Sequence, residues 1–222
     1  MRSKKNRVFR AAVGEREYVV KVFRGEWKDR ARVEFGVLSE CHRRGVPAPV
    51  PVAIVEDAIV MEPVVGDPVA EVFDGLFSRS SEADLSEGQG RLADSLAEWL
   101  SAFHAAFDFG LARGDTILKN FMTSPSGVIG LDFEEASPVD TITDLGQMCA
   151  SPLMTDPPFT DAKAAFAGRL AEKYWERSGL DRSGDLNRAV SAAIRQYAPF
   201  RANGGELLGY ASRIENGNLS IF

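Results

Sequence analysis

Asp115 and Asn120, five positions apart in Gly114-Asp115-Thr116-Ile117-Leu118-Lys119-Asn120, are the pair in this 222-residue chain with the clearest chemical potential. Placed between a helix and a strand, such a pair suits a loop in which the aspartate takes a proton from an attacking hydroxyl. The asparagine would offer its amide oxygen to Mg²⁺. Asp132, in Leu131-Asp132-Phe133-Glu134 at the end of the next strand, can add a hard oxygen ligand to the same metal. Lys21 stands in the middle of the apolar run YVVKVF, where strand alternation sends a charge to one face only with a reason to be there. Glu34, thirteen residues later on a helix, can pair with that lysine and hold its ammonium against phosphate oxygens. Each has an ordinary reading alone: an exposed strand lysine, a solvated helix glutamate, turn aspartates capping their own backbone. Their joint occurrence, with one hairpin between the last two pieces, points to phosphoryl transfer.

The elements that must carry these residues are legible from periodicity. RVFRAAV and REYVVKVF flank Gly14 as a hairpin over residues 7 to 23. A helix is predicted over about Trp27 to Arg44, with Ala31, Phe35, Leu38 and Cys41 spaced by three or four and Gly45 past its end. Two short strands with a turn at Glu56 and Asp57 follow, and Pro63 with Gly66 closes the segment. Residues 67 to 90 read as a lobe junction with a mobile surface loop in the Ser-, Glu- and Gly-rich second half. Leu92, Leu96, Leu100, Phe103 and Phe107 then put an apolar stripe on a helix over about Arg91 to Phe107. ILKNFMT and GVIGLDF are strand candidates around a turn at Ser124 to Gly127, and helices are expected over Asp161 to Ser178 and Leu186 to Tyr197. The expectation is an α+β chain: a small antiparallel sheet with one helix over residues 1 to 66, and a mainly helical part over 67 to 222.

Composition narrows the class. With 45% hydrophobic and 26% charged residues the chain is neither disordered nor a coiled-coil rod. Its longest apolar stretch, Val50 to Val65, is broken by Glu56, Asp57 and Glu62, so no membrane-spanning helix is expected. The start, MRSKKNRVFR, has the charge of a signal peptide without its apolar core, which argues for a cytoplasmic protein. Cys41 and Cys149 are too few for a zinc site and read as buried apolar residues in a reducing compartment. The net charge of −6 hides an asymmetry: residues 1 to 32 hold 11 Lys and Arg against 4 Asp and Glu, and the remainder is strongly acidic. Such a basic end is either an ordinary solvated surface or a face turned to phosphates, whether of a nucleotide or of an RNA, or to an acidic protein partner.

Together the motifs resemble the protein-kinase-like superfamily. VVK matches its third-strand lysine, Glu34 the glutamate of the following helix, GDxxxxN its catalytic loop, and LDFE stands in place of the DFG motif. IVMEPVVG is similar to the hinge between lobes, with Met61 as gatekeeper. The resemblance implies that the Glu62 carbonyl and the Val64 N–H hold adenine. Asp144, in TDLGQM, matches an aspartate that braces the catalytic loop from a helix. EFGVLSECHRRGVPAPVPV followed by IVMEPVVG resembles the kinase subunit of the KEOPS tRNA-modification complex and the lipopolysaccharide Kdo/heptose kinases. The DFE variant is more at home in aminoglycoside phosphotransferases.

The implied fold is the two-lobed kinase fold. The implied activity is transfer of the γ-phosphate of ATP, with Mg²⁺, to a hydroxyl, a small molecule or sugar being favoured over a protein. In that scheme Asp115, Lys21 and Glu34 are catalytic, Lys21, Glu62, Val64, Asn120 and Asp132 bind the nucleotide, and Asn120 and Asp132 bind the metal. The alternative is a nucleotide-binding atypical kinase, ATPase or pseudokinase that acts as a subunit of a larger complex. Arg113 stands where most relatives carry a histidine, and no glycine-rich loop precedes the first strand; Lys4, Lys5 and Arg7 are candidates to cover the phosphates. Only twelve positions separate Asp132 from Asp144, too few for a long activation segment.

Overall fold

The computed structural model describes residues 6–78 and 84–219. Lys4 and Lys5 lie outside the described residues. The chain opens with the expected hairpin: β1 (Asn6–Val13) and β2 (Arg16–Phe23) pair antiparallel around Gly14, whose φ of +63° suits the turn. The helix predicted from Trp27 starts later, as α1 (Arg30–Arg44). Gly25–Trp27 instead forms a single 3-10 turn, in which the Trp27 N–H donates to the Arg24 carbonyl at 3.1 Å. β3 (Pro51–Val55) and β4 (Ala58–Met61) complete a four-stranded antiparallel sheet of order β1-β2-β4-β3. β1 occupies an edge, and β2, which carries Lys21, is an interior strand with Val8 and Ile59 opposite the lysine.

Gly66 ends this sheet-rich part where the chain passes hard against β5 (Phe121–Ser124). A Cβ at Gly66 would lie 1.7 Å from the Thr123 carbonyl oxygen, on a segment tied down by the Thr123 N–H donating to the Asp67 carbonyl at 2.8 Å. Gly66→Ala is therefore expected to push the connection off β5 and cost about 1–3 kcal/mol, read as a lower melting temperature.

Residues 67 to 90 contain more helix than periodicity suggested. α2 (Val69–Phe77) buries Val69 and Phe73, four apart, and stacks Phe73 on Phe77 with ring centroids 4.1 Å apart. Nine residues are too few for a secure periodicity, and packing against Phe166 decides the matter. Part of the loop expected in the second half, residues 79 to 83, lies outside the described residues. α3 (Glu87–Ala106) begins four residues before the predicted start, because Ser86 and Gln89 form a reciprocal capping box. Leu118–Asn120, read as strand, is a 3-10 turn, so that β5 starts only at Phe121 and pairs with β6 (Gly127–Gly130).

The remaining helices are α4 (Ile142–Leu153), α5 (Asp161–Ser178), α6 (Ser183–Tyr197) and α7 (Gly204–Glu215). Leu96, Leu100 and Phe103 of α3, Leu145, Met148 and Cys149 of α4, and Phe166 and Leu170 of α5 are fully buried. The predicted stripe of α3 is thus the centre of the helical core. Trp99 is core as well, stacking on Phe103 and donating its indole N–H to the Pro47 carbonyl at 2.7 Å, which ties α3 to the chain entering β3. Among the described residues no helix is long and apolar enough to cross a membrane.

Candidate active site

The sheet and the helical part meet at a cleft of about 320 Å³, lined by Val8, Val19, Lys21, Met61, Glu62 and Val64 on one side and by Asn120, Met122, Leu131 and Asp132 on the other. Strand alternation puts Lys21 here. On β2 the odd positions Lys21 and Phe23 are buried, so the lysine shares the face that packs inward. Glu34 arrives from α1, where Ala31, Glu34, Leu38 and Cys41 form one buried stripe at three- and four-residue spacing. The two meet as Lys21 Nζ and Glu34 Oε2 at 2.6 Å.

Lys21 is not confined to one partner. Its Nζ also lies 2.7 Å from Asp132 Oδ1 and 3.1 Å from a carboxylate oxygen of Glu134. Burial works against the ammonium, but the charges of Glu34, Asp132 and Glu134 outweigh it and raise its pKa. Burial pushes Glu34 in the opposite direction, up to about 7, against the pull of Lys21. The proton stays on the lysine in either case, and the 2.6 Å contact is an ion pair.

Three carboxylates against one ammonium leave this cluster with surplus negative charge, and ligand oxygens of Glu34, Asp132 and Glu134 lie within 4.8 Å of one another. Hard oxygens in excess over cations fit a divalent ion of the Mg²⁺ type. Asp132 is the member turned to the cleft, its side chain 40% exposed while Glu34 and Glu134 are buried.

The loop Arg113–Asn120 is held from below by buried polar contacts. Asp144, fully buried near the start of α4, accepts the backbone N–H groups of Arg113 at 2.5 Å and Gly114 at 2.8 Å. His104 of α3 bridges it to Tyr174, with Nε2 2.9 Å from Asp144 Oδ2 and Nδ1 2.8 Å from the tyrosine hydroxyl. Thr116 adds a hydroxyl bond to the Asp144 carbonyl at 2.6 Å, and its N–H donates to Gln147 Oε1 at 3.0 Å. So fastened, the loop places Asp115 in the left-handed region, with φ of +48°, and Asp132, just beyond β6, shares that conformation at +60°. Aspartate tolerates that conformation better than most residues, and such strain concentrates at functional sites.

At the mouth, both oxygens of Asp115 are engaged. Oδ2 accepts from the Asn120 amide at 2.8 Å, and Oδ1 accepts from the Tyr197 hydroxyl at 2.7 Å. A second cavity of about 620 Å³ opens beside them, lined among others by Asp115, Lys119, Asp132, Gln196, Tyr197 and Phe200. Asp132 borders both cavities, so a group bound in one adjoins a group bound in the other.

Comparison with known proteins fits this geometry. The model of the phosphotransferase enzyme family (APH) matches residues 3–111. A probable serine/threonine-protein kinase BUD32 homolog from Archaeoglobus fulgidus is 32% identical over 104 residues, 47% of this chain and 44% of that one. The chain thus spans less than half the length of this curated relative. Among solved structures, the amicoumacin kinase hAmiN, in complex with AMP-PNP, Ca²⁺ and Ami, superposes with a TM-score of 0.70 at 13% identity, over 98% of this chain and 87% of that one.

The chain has the protein-kinase-like fold. An aminoglycoside-3′-phosphotransferase of type VIII superposes too, with a TM-score of 0.59 at 17% identity over 81% of this chain and 84% of that one. The fold explains why residues far apart in sequence, Lys21, Glu34, Asn120 and Asp132, line one cleft.

Three residues of the site carry more than their sequence signal suggested. Arg113, a departure from the family pattern, is fully buried. Its guanidinium donates to the carbonyls of Gly114 at 3.2 Å, Asp115 at 2.9 Å, Asn120 at 3.3 Å and, in a shorter contact, Leu131. It thereby joins the loop to the strand leading into Asp132, beneath the rings of Phe121 and Phe133 at 4.9 and 5.2 Å. Glu134 was legible only as the last letter of the DFE variant. Tyr197 had no signal beyond its place in an apolar helical pattern.

Proposed function

We propose that this protein is an ATP-dependent phosphotransferase, in which Asp115 receives the proton of an acceptor hydroxyl while that oxygen attacks the γ-phosphorus and ADP leaves. One observation carries the reading: Asp115 and Asp132 border a common cavity, and Asp132 also borders the cleft that holds Lys21, Glu62 and Val64. Adenine fits against Val8, Val19, Met61 and the Glu62–Val64 backbone, and Lys21, oriented by Glu34, meets the phosphates. Asp132 and Asn120 would hold Mg²⁺, with Glu134 close behind. The ion supplies neutralisation of charge on the phosphate oxygens. What the chain itself contributes is position: the loop bolted to Asp144 and Arg113 presents the base, and the cavity beside Tyr197 presents the acceptor.

A concave acceptor cavity of this size favours a small hydroxyl-bearing molecule over a folded protein. An ATP-consuming enzyme with free, buried Cys41 and Cys149 suits the reducing cytoplasm. The test is ADP release across a panel of sugars, amino sugars and amino alcohols, with Mg-ATP binding followed separately by thermal shift. Saturating Mg-ATP at about 100 times its Kd should stabilise the fold by about 2.7 kcal/mol. Absence of any shift would remove the nucleotide from the reading.

Lys21→Met should uncouple the two cavities. Its ammonium is the cation shared by Glu34, Asp132 and Glu134, and removing it leaves buried like charges facing one another. Turnover with Mg-ATP is expected to fall at least about 100-fold, and the protein to lose about 3 kcal/mol of stability.

The 32% identity to a BUD32 homolog supports a second reading, an atypical kinase that works inside a complex, by way of the basic residues 1 to 32. Co-purifying protein or RNA that dissociates steeply with salt, together with Mg-ATP binding but no turnover on the panel, would favour it.

A further inference from the structure

The hydroxyl of Tyr197 stands where an acceptor hydroxyl has to stand. Tyr197 is the last residue of α6 and lines the acceptor cavity; its Oη donates to Asp115 Oδ1 at 2.7 Å, the contact a base needs with the proton it is to receive. The other oxygen, Oδ2, is taken by the Asn120 amide, and the carbonyl of Asp115 by Arg113 and Asn120. No second protein donor is needed to hold the carboxylate in place. Burial and the adjacent Asp115 charge push the phenol above its ordinary pKa, so it remains a donor.

We propose that Tyr197 is a specificity-determining residue that guards Asp115 against water: its phenol fills the acceptor seat until a hydroxyl-bearing acceptor displaces it. The inference rests on the reading of Asp115 as base. Water is small, abundant and a competent nucleophile toward a bound triphosphate, so it would compete with the acceptor at Asp115 if the seat stood empty. A water molecule must break the Tyr197–Asp115 bond to enter and can replace it with little else. An acceptor brings the contacts of the whole cavity to offset the same loss. The guard therefore costs the true acceptor less than it costs water.

The decisive variant is Tyr197→Phe, which keeps the ring and its packing and removes only the hydroxyl. ADP release without acceptor should rise about fivefold, the factor one ordinary hydrogen bond represents. The ratio of acceptor transfer to hydrolysis should fall accordingly, with the KM for ATP unchanged and the melting temperature lower by no more than the roughly 2–4 °C that one hydrogen bond represents. A merely structural role would lower both reactions together and leave their ratio alone. Hydrolysis equal to or below that of the parent, in a protein that melts within that range, overturns the guard. Should Tyr197→Phe melt lower than that, Tyr197→Leu serves as second variant, with the transfer-to-hydrolysis ratio as the deciding quantity. The underlying reading fails differently: in that case the Asp115→Asn variant hydrolyses and transfers as fast as the parent, whatever stands at position 197.

Discussion

Asp115→Asn is expected to lower phosphoryl transfer by about 10²–10⁴-fold while Mg-ATP still binds, the loss typical when a positioned general base is removed. The geometry makes the substitution informative. A carboxylate has two acceptor oxygens, and both are in use, one by the Asn120 amide and one by the Tyr197 hydroxyl. A carboxamide has one. In the variant that oxygen can keep the Asn120 amide while the new N–H₂ group donates to the Tyr197 hydroxyl, which accepts as well as donates, so the contacts survive and the base alone is removed. The backbone should stay in place, because Arg113 and Asn120 also bind the Asp115 carbonyl, at 2.9 and 2.8 Å. Nucleotide-dependent thermal stabilisation like that of the parent, with transfer lost, separates a missing base from a collapsed loop. Transfer within threefold of the parent would instead show that proton removal by Asp115 contributes almost nothing.

Arg113→Met is expected to damage stability and activity at once. The arginine is wholly buried and supplies four hydrogen bonds to carbonyls of residues 114, 115, 120 and 131. Burial pulls its pKa down, opposed by the charges of Asp144, Asp132 and Asp115, and a guanidinium remains charged under all ordinary conditions. Methionine fills much of the volume but takes a donor from four carbonyls, of which those of Asp115 and Asn120 keep others, and leaves Asp144 without the guanidinium charge. A loss of about 3–5 kcal/mol follows, which for a chain of this length lowers Tm by roughly 10 °C. Below the new Tm the loop and the segment before Asp132 lose the guanidinium that links them and keep the bond from the Leu131 N–H to the Asn120 carbonyl at 2.8 Å, so transfer should fall more than nucleotide affinity does. Arg113→Lys is the control: one ammonium can satisfy part of the fork, and should restore part of the stability.

These effects bear on how much of the site could be read beforehand. Lys21 declares itself as a charge inside an apolar strand, and Glu34, Asn120 and Asp132 do so by occurring together at that spacing; all four line the cleft. Glu62 and Val64 line it too, although the resemblance rather than their chemistry singled them out. Arg113 was visible only as a departure from a family pattern. Sequence shows that a histidine is replaced; it does not show that a longer, forked side chain reaches four carbonyls. Helix α2 was lost in a junction because nine residues carry little periodicity, and its Phe73 and Phe77 acquire meaning only beside Phe166.

The sequence by itself determined the order of sheet and helices, the acidic and polar residues of the loop, and the spacing that excludes a long segment between Asp132 and Asp144. Those properties are local, set by alternation, by helical periodicity and by turn residues within a few positions of one another. The tertiary structure alone decided that one ammonium serves three carboxylates, that Arg113 joins loop to strand, and that a phenol eighty-two residues away closes on the proposed base. Contacts of that kind depend on where separate elements stop in space, and side-chain reach over a few ångströms leaves no periodic trace in the chain.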